Sequence, residues 1–331
     1  MSERREVGLV RVVLTGGAGF IGTHVATALI AAPQVREVVV VDDLSTGSAA
    51  NLAGLDVRLH VGTVLDAALL DRVFAGADAI VHLAAIPSVP RSLADPVRGY
   101  QVNIAGTVEV LEAARRANIP YVVLASSCAI YGAGDGLPLR ETTRSVPLSP
   151  YGASKLAAES YTIAYRMWFG LDTLVLRLFN VYGPLQPADH GYAAVVPTFL
   201  DAALSGRVLQ VHGDGKQTRD FTYVGSVAAV IADAVRRRVV SELPVNVGFG
   251  SRTSVHELIA ELEGVLGRSL PVRHVAVPAG SIEHSQADPQ HLLRLFPDAT
   301  PVSLPVGLRH TVDWFAGHTQ SANGGARKRS A

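Results

Sequence analysis

The chain has 331 residues, with 48% hydrophobic and 18% charged side chains and 29 basic against 29 acidic groups. That balance excludes a disordered polyelectrolyte and argues against nucleic acid as a partner, while the length suits two domains with a large core. No apolar run approaches the roughly 20 residues of a membrane span, so a soluble, cytoplasmic protein without an export signal is expected.

In chain order, Val10–Leu14 predicts a buried parallel strand and Gly19–Ala31 a helix. Strands over Val38–Val41, Ala79–Leu83 and Tyr121–Ala125 then alternate with helices over Asp66–Phe74, Val97–Asn118 and Tyr151–Phe169. Pro120 stops the second of these helices, and Thr173–Leu178 adds another strand. The alternation predicts an α/β fold, a Rossmann-type doubly wound parallel sheet. After Pro184, Pro187 and Gly191 break the rhythm, composition becomes mixed. We therefore assign residues 1–179 to a first domain and 180–316 to a smaller, interleaved α/β domain. A return segment at about 222–248, helix Val224–Arg238 and strand Val245–Val247, rejoins the sheet. From Gly317 the small, polar and basic tail predicts disorder over 317–331.

Strand Val10–Leu14 leads into Thr15-Gly-Gly-Ala-Gly-Phe-Ile-Gly22 and then a helix. Glycines at 16, 19 and 22 let the backbone turn tightly, approach a pyrophosphate and pack the helix on the sheet, and the helix N-terminus offers N–H groups to the anion. Asp42 ends the second strand, where a carboxylate can bond the ribose diol of a dinucleotide and repel a 2′-phosphate, which favours NAD over NADP. Asp43, Ser45, Thr46 and Gly47 follow as candidates for the adenosine pocket.

Lysine occurs only at 155, 216 and 328, so Lys155 stands out. Tyr151-Gly-Ala-Ser-Lys155 opens a helix with the phenol and ammonium one turn apart on one face. A tyrosine working as a base near neutrality needs its pKa lowered by roughly three units, about 4 kcal/mol, and a nearby positive charge supplies this. Ser126 and Ser127 end a buried strand, where ligands of such sheets bind. The single cysteine, Cys128, excludes an internal disulfide and a multi-cysteine zinc site, and the 11 histidines show no metal-like spacing. Cys128 reads either as a small buried residue or as a thiol lining the substrate.

Together the glycine turn, Asp42, His82-Leu-Ala-Ala85, Asn103, Ser126-Ser127, the Tyr151/Lys155 pair and Arg177-Leu-Phe-Asn-Val-Tyr-Gly-Pro184 resemble the extended short-chain dehydrogenase/reductases. Within them the chain is most similar to the UDP-glucose and UDP-glucuronate 4-epimerases, from about residue 9 to about 316. The resemblance implies a tightly bound NAD. Its contacts would be Gly16, Gly19, Phe20, Ile21 and Gly22 at the turn, and Asp42, Asp43, Ser45, Thr46 and Gly47 after the second strand. Thr63, Val64, Leu83, Ala84, Ala85, Asn103, Ser126, Tyr151, Lys155 and Phe179 would complete them. Tyr151 would take the proton from a sugar 4-hydroxyl, Lys155 would hold the nicotinamide ribose and lower the tyrosine pKa, and Ser127 would bond the 4-oxygen. The UDP-sugar substrate would further meet Ser88, Cys128, Asn180, Val195, Gln210, His212 and Arg219. The resemblance also implies a homodimer through helices Val97–Asn118 and Tyr151–Phe169.

Some family positions differ. Pro278 stands where relatives have a second phosphate arginine and Ser281 where they have an acid; Gly225-Ser226 replaces Asp-Asp, and Thr63 an aspartate. Leu185-Gln-Pro187 lacks the arginines of glucuronate-specific relatives. Dehydratases and decarboxylases of this type need an acid beside the Ser/Thr, and those positions hold Cys128 and Ala129. A 4-epimerase is the leading expectation, a dehydratase or thiol-assisted epimerase using Cys128 the alternative, and an NAD-binding regulator without turnover the remote one.

Overall fold

The computed structural model describes residues 10–134, 136–188, 194–278 and 280–327; Gly191 and the last residues, 328–331, lie outside them. The first half runs β1 (Val10–Thr15), α1 (Phe20–Ile30), β2 (Val35–Asp42), β3 (Val57–Val61), α2 (Ala67–Phe74), β4 (Ala79–His82), α3 (Val89–Ala94), α4 (Pro96–Tyr100), α5 (Gly106–Arg116), β5 (Tyr121–Ser127), α6 (Pro150–Phe169) and β6 (Asp172–Leu178). The second half runs β7 (Val181–Tyr182), α7 (Val195–Leu204), β8 (Leu209–His212), β9 (Thr218–Arg219), β10 (Thr222–Tyr223), α8 (Val224–Arg237), β11 (Val245–Val247), β12 (Thr253–Ser254), α9 (Val255–Leu266), β13 (Val272–Val275), α10 (Gln290–Leu295) and α11 (Leu304–Arg327).

Among the described residues the central sheet has seven strands in the order β3-β2-β1-β4-β5-β6-β11, all parallel. Strand order reverses between β1 and β4, which opens a crevice at the carboxyl ends of the strands, as in Rossmann folds. The strands are almost unbroken Val, Ile, Leu and Ala runs because helices cover both faces. On one face α1 and α8 enclose Val12, Leu14, Val25, Leu29 and Ile231; on the other, α2, α5 and α6 enclose Val13, Val39, Leu70, Phe74 and Leu111. Each such side chain contributes about 1.5–3 kcal/mol by leaving water. A third core lies outside the sheet, where α7, α9 and α11 pack Phe199, Leu200, Leu258, Leu262 and Leu308 around the parallel pair β8 and β13.

Three sequence expectations need correcting. The hydrophobic pattern misses β3, because Arg58 and His60 interrupt it and an edge strand stays half exposed. The helix expected over Val97–Asn118 is broken into α4, a π-helical turn at Gln101–Ala105 and α5. Such turns insert one extra residue, and here the turn carries the buried Asn103. The tail expected to be disordered from 317 continues α11 to Arg327. Extending a helix already nucleated by packing costs little per residue, and even a glycine adds only about 1 kcal/mol.

A buried polar tie joins β5, β6 and α6. The Arg177 guanidinium forks onto Glu159 (Nη2 to Oε2, 2.9 Å), with 6% and 2% of the two side chains exposed. Ser126 Oγ donates to the same carboxylate, and Arg177 Nη1 donates to Tyr131 Oη at 2.8 Å. Removing one partner strands a charge in the interior. Arg177→Leu is therefore expected to lower the unfolding free energy by about 3–5 kcal/mol, measured by urea denaturation; a loss below about 1 kcal/mol would mean that water reaches Glu159.

Candidate active site

The β1–α1 turn is made of contacts that leave no room for side chains. Gly16 has φ +73°, and a Cβ there would stand 2.6 Å from the Ala84 nitrogen; at Gly22 it would stand 2.1 Å from Gly16 O. Gly19 differs, because the nearest protein atom to its Cβ would be Gly16 O at 3.3 Å. Gly19 is also the N-cap of α1 with no capping side chain, so first-turn N–H groups remain available to an anion. A Cβ on Gly19 would fill the mouth of that cradle rather than its wall.

Gly16, Gly19, Phe20, Ile21 and Gly22 line an open cleft of about 170 Å³ at the carboxyl ends of the strands. Asp42, Asp43, Ser45 and Thr46 follow after β2, Thr63 and Val64 after β3, Leu83, Ala84 and Ala85 after β4, and Ser126, Tyr151 and Lys155 at the far end. Asp42 is buried, with Oδ2 accepting from Ala18 N at 2.9 Å and Oδ1 from Leu44 N at 2.8 Å. Desolvation pushes its carboxyl up from the usual range, and the two N–H bonds oppose this. Each oxygen keeps a further lone pair for a hydroxyl donor.

At the far end the Ser127 hydroxyl stands close to the Tyr151 phenol and opposes the rise of its pKa. The Ser127 oxygen also accepts from Ala129 N at 3.2 Å, which fixes its rotamer. Lys155 Nζ, buried, donates one proton to Ala125 O at 2.9 Å. Desolvation pulls Lys155 down to about 8, against Glu159, which raises it. Desolvation also pushes Tyr151 up to about 12, eased by the Ser127 hydroxyl. The expectation that Lys155 lowers the tyrosine pKa is thus not met by the chain alone: burial sets the direction, and Ser127 rather than the ammonium opposes it. The start of α6 is held on several sides. Ser149 caps it through Gly152 N, Ser92 Oγ accepts from Tyr151 N at 3.1 Å, and a Cβ on Gly152 would stand 2.5 Å from Ala129 O.

Of the expected ligand residues, Ser127, Cys128 and Asn180 line neither cavity, and four others are engaged elsewhere. Gly47 packs behind the turn, where its Cβ would meet Ala18 at 2.7 Å. Phe179 is fully buried with Ile130, Tyr131, Leu139 and Ala287, because a phenyl ring at the end of β6 finds apolar partners there. Asn103 commits its amide to Ile86 N, Ile86 O and Ser154 Oγ. Ser88 caps α3 through Arg91 N. Sequence reasoning missed Val41, Gly62, Ile86, Pro87, Val102, Ala125 and Leu178, which complete the lining. Most lie at or just after strand ends, so the rule that ligands bind there could have found them.

Val195, Gln210, His212 and Arg219 line a second cavity of about 570 Å³, with Phe199, Val255, Val277, Pro278, Asp214 and Glu283. The Arg219 guanidinium donates to Thr218 O, Glu283 O and Ile282 O, the last at 2.7 Å, and among the described residues it has no carboxylate partner. Asn180 has φ +33° and a buried Nδ2 without a partner, an amide donor that protein atoms leave unsatisfied. Cys128 lines neither cavity but lies near Asn180, Arg219 and Ser285, and desolvation pushes its thiol up, so it is protonated near neutrality.

Residues 12–248 match the model of the NAD dependent epimerase/dehydratase family. The chain belongs to this family. It is 35% identical to the UDP-glucose 4-epimerase of Mycolicibacterium smegmatis, over 94% of this chain and 100% of that relative. Among solved structures it resembles the UDP-N-acetylglucosamine 4-epimerase of Methanobrevibacter ruminantium (TM-score 0.88, 34% identity, 94% of this chain and 99% of that chain). It also resembles the NAD-bound dTDP-glucose 4,6-dehydratase of Streptomyces venezuelae (TM-score 0.85, 34% identity, 93% and 97%). NAD is the cofactor of this epimerase/dehydratase chain, and the residues present fit it: the uncapped helix end at Gly19 suits the pyrophosphate, and Asp42 the ribose diol. Among the described residues no group of His, Cys, Asp and Glu could hold a metal ion, and no helix is long and apolar enough to cross a membrane.

One buried group of the site makes a pH prediction. His82 lies under the cleft, and burial, with Lys155 nearby, pulls its imidazole from 6.5 down to about 3. Between those values the unfolded chain binds a proton that the folded chain does not, so stability falls as pH drops through that window. The unfolding free energy of wild type is expected to drop about 1.4 kcal/mol per pH unit more steeply below pH 6 than that of His82→Gln; parallel curves would mean that the ring can ionise in place.

Proposed function

We propose that the chain is a 4-epimerase of a nucleotide sugar, a UDP-hexose or UDP-hexuronate. The observation that carries this reading is the grouping of Ser127, Tyr151 and Lys155 at one end of the cleft, with Cys128 and Ala129 following Ser127. The acids lining the cleft, Asp42 and Asp43, stand after β2 at the other end. Inverting C4 needs one acid/base, whereas eliminating water across C5 and C6 needs a second proton carrier beside the serine.

Tyr151 takes the 4-hydroxyl proton and later returns it, and Ser127 holds the 4-oxygen through both steps. NAD, held by the β1–α1 turn and Asp42, would supply hydride acceptance and donation at C4 and a positive charge that lowers the cost of a phenolate. Lys155 adds a second positive charge one helical turn away. The smaller domain, residues 180–316, holds the nucleotide, with Asn180 Nδ2 and Arg219 toward the diphosphate and Gln210 and His212 toward the base. With Pro278 in place of a second arginine, the phosphate contact falls to Arg219 and neutral donors. A dehydratase or thiol-assisted reaction is the second reading, favoured by Cys128 beside both Ser127 and Tyr151.

Purified protein without added cofactor, given UDP-glucose, UDP-glucuronate and their N-acetylated analogues, is expected to yield one 4-epimer by NMR. Loss of water or carbon dioxide would favour the second reading. Tyr151→Phe is expected to fold and keep its NAD while turnover drops below detection, and an active variant would remove Tyr151 from the mechanism. Because the Lys155 ammonium is present below a pKa of about 8 and lost above it, kcat is expected to decline as pH rises through about 8. A flat profile to pH 9.5 would separate its charge from catalysis. We further propose a homodimer through α4, α5 and α6, which expose Val97, Tyr100, Tyr161, Met167 and Trp168. Light scattering is expected to give twice the chain mass, and a monomer would contradict this.

A further inference from the structure

His82 closes β4 and is 2% exposed, in register with Thr15 of β1 on one side and Leu124 of β5 on the other. Its ring is bonded at both nitrogens: Nδ1 lies 2.7 Å from Thr15 Oγ1, and Nε2 lies 3.0 Å from Thr107 Oγ1. Counting donors fixes their direction. The Thr107 hydroxyl gives its proton to Asn103 O at 2.7 Å, so its oxygen accepts from Nε2–H. Thr15 Oγ1 accepts from Ala84 N at 3.4 Å, and its own proton goes to Nδ1. The neutral ring with the proton on Nε2 satisfies every group, and a second ring proton would leave the Thr15 hydroxyl without an acceptor. Burial and the nearby Lys155 charge oppose that second proton as well.

The ends of this chain of bonds are the two halves of the site. Thr15 immediately precedes Gly16, and Ala84 is the wall against which Gly16 closes. At the other end the Asn103 amide takes Ile86 N at 2.7 Å and gives a bond to Ser154 Oγ at 2.9 Å. Ser154 in turn donates to the carbonyl oxygen of Tyr151 at 2.8 Å. Hydrogen bonds, joined covalently through the backbone and side chain of Asn103, therefore run from Thr15 beside the phosphate turn to the backbone of the acid/base tyrosine. Strands β1 and β4, helix α5 and the π-helical turn each contribute one residue and α6 two, and the His82 ring carries the connection from the sheet to α5.

We propose that His82 is a positioning residue, whose neutral imidazole sets the spacing between the wall on which NAD lies, Leu83 to Ile86, and the helix that carries Tyr151 and Lys155. Its effect on turnover rests on the epimerase reading; its effect on NAD does not. His82→Asn keeps an acceptor near the Nδ1 place and loses the donor toward Thr107. Thr107→Val cuts the same link from the other side. Both are measured per folded protomer, with thermal unfolding run alongside.

Each variant is expected to slow kcat by about tenfold, since hydride and proton transfer depend steeply on alignment, while KM for the sugar nucleotide moves less than about twofold. NAD release into cofactor-free buffer, followed without any sugar present, is expected to quicken by about tenfold in both, as the cleft wall loses its tie. Combining the two substitutions is expected to do no more than the worse single one, because they cut one link. The proposal is overturned if kcat and NAD release stay at the wild-type values, or if the two losses multiply. It is also overturned if the variants lose thermal stability alone. Should wild type turn over no sugar nucleotide, the epimerase reading fails and NAD release decides the role of His82 on its own. Should one variant not fold, the kcat and NAD release of the other decide between these outcomes.

Discussion

The whole site hangs on how tightly the first βα turn closes. With only 2.1 Å between Gly16 O and the place of a Cβ on Gly22, α1 leaves β1 at one angle, and its N-terminus points along the carboxyl edge of the sheet. That edge is where β2, β3, β4 and β5 also end, because all seven strands run the same way. Parallel pairing thus gathers Asp42, Ala84, Ser126 and the uncapped helix end onto one rim from positions scattered over more than a hundred residues.

Gathering reactive groups on a closed rim costs desolvation, and it acts on each of them. Burial raises Asp42, Tyr151 and Cys128 and lowers Lys155 and His82. Only specific partners resist it, such as Ala18 N and Leu44 N on Asp42, Ser127 on Tyr151 and Glu159 near Lys155. The chain by itself keeps the Tyr151 phenol protonated near neutrality and brings Lys155 down to about 8. A cofactor that adds positive charge there would favour the phenolate only when the site is loaded.

Glu159 shows how far such a site reaches into the core. It sits one turn beyond Lys155 on the buried face of α6, takes the Ser126 proton and holds the Arg177 fork. The same carboxylate influences the lysine and ties the two strands that end beside it. Asn103 does the corresponding work on the opposite side, through a π-helical turn that no pattern of apolar spacing announces.

What the sequence determined by itself was the local chemistry. Glycines at 16, 19 and 22, a carboxylate at 42, hydroxyls at 126 and 127 and the Tyr151/Lys155 pair are short-range signals, and strands such as β1, β4 and β5 are legible because their apolar runs are nearly unbroken. Ser149-Pro150 likewise marks the start of α6, as a capping hydroxyl followed by a residue preset for a helix. Tertiary structure decided what depends on partners far along the chain. Edge strand β3 forms because β2 offers it hydrogen bonds, not because its residues alternate cleanly. Phe179 and Gly47 turn away from the cleft because neighbours from other segments already occupy their surroundings. Which of two adjacent serines faces the tyrosine, and which carboxylate steadies the lysine, followed only once α6 had packed against β5 and β6. Side-chain direction and desolvation are set by long-range packing, and single residue types carry no record of either.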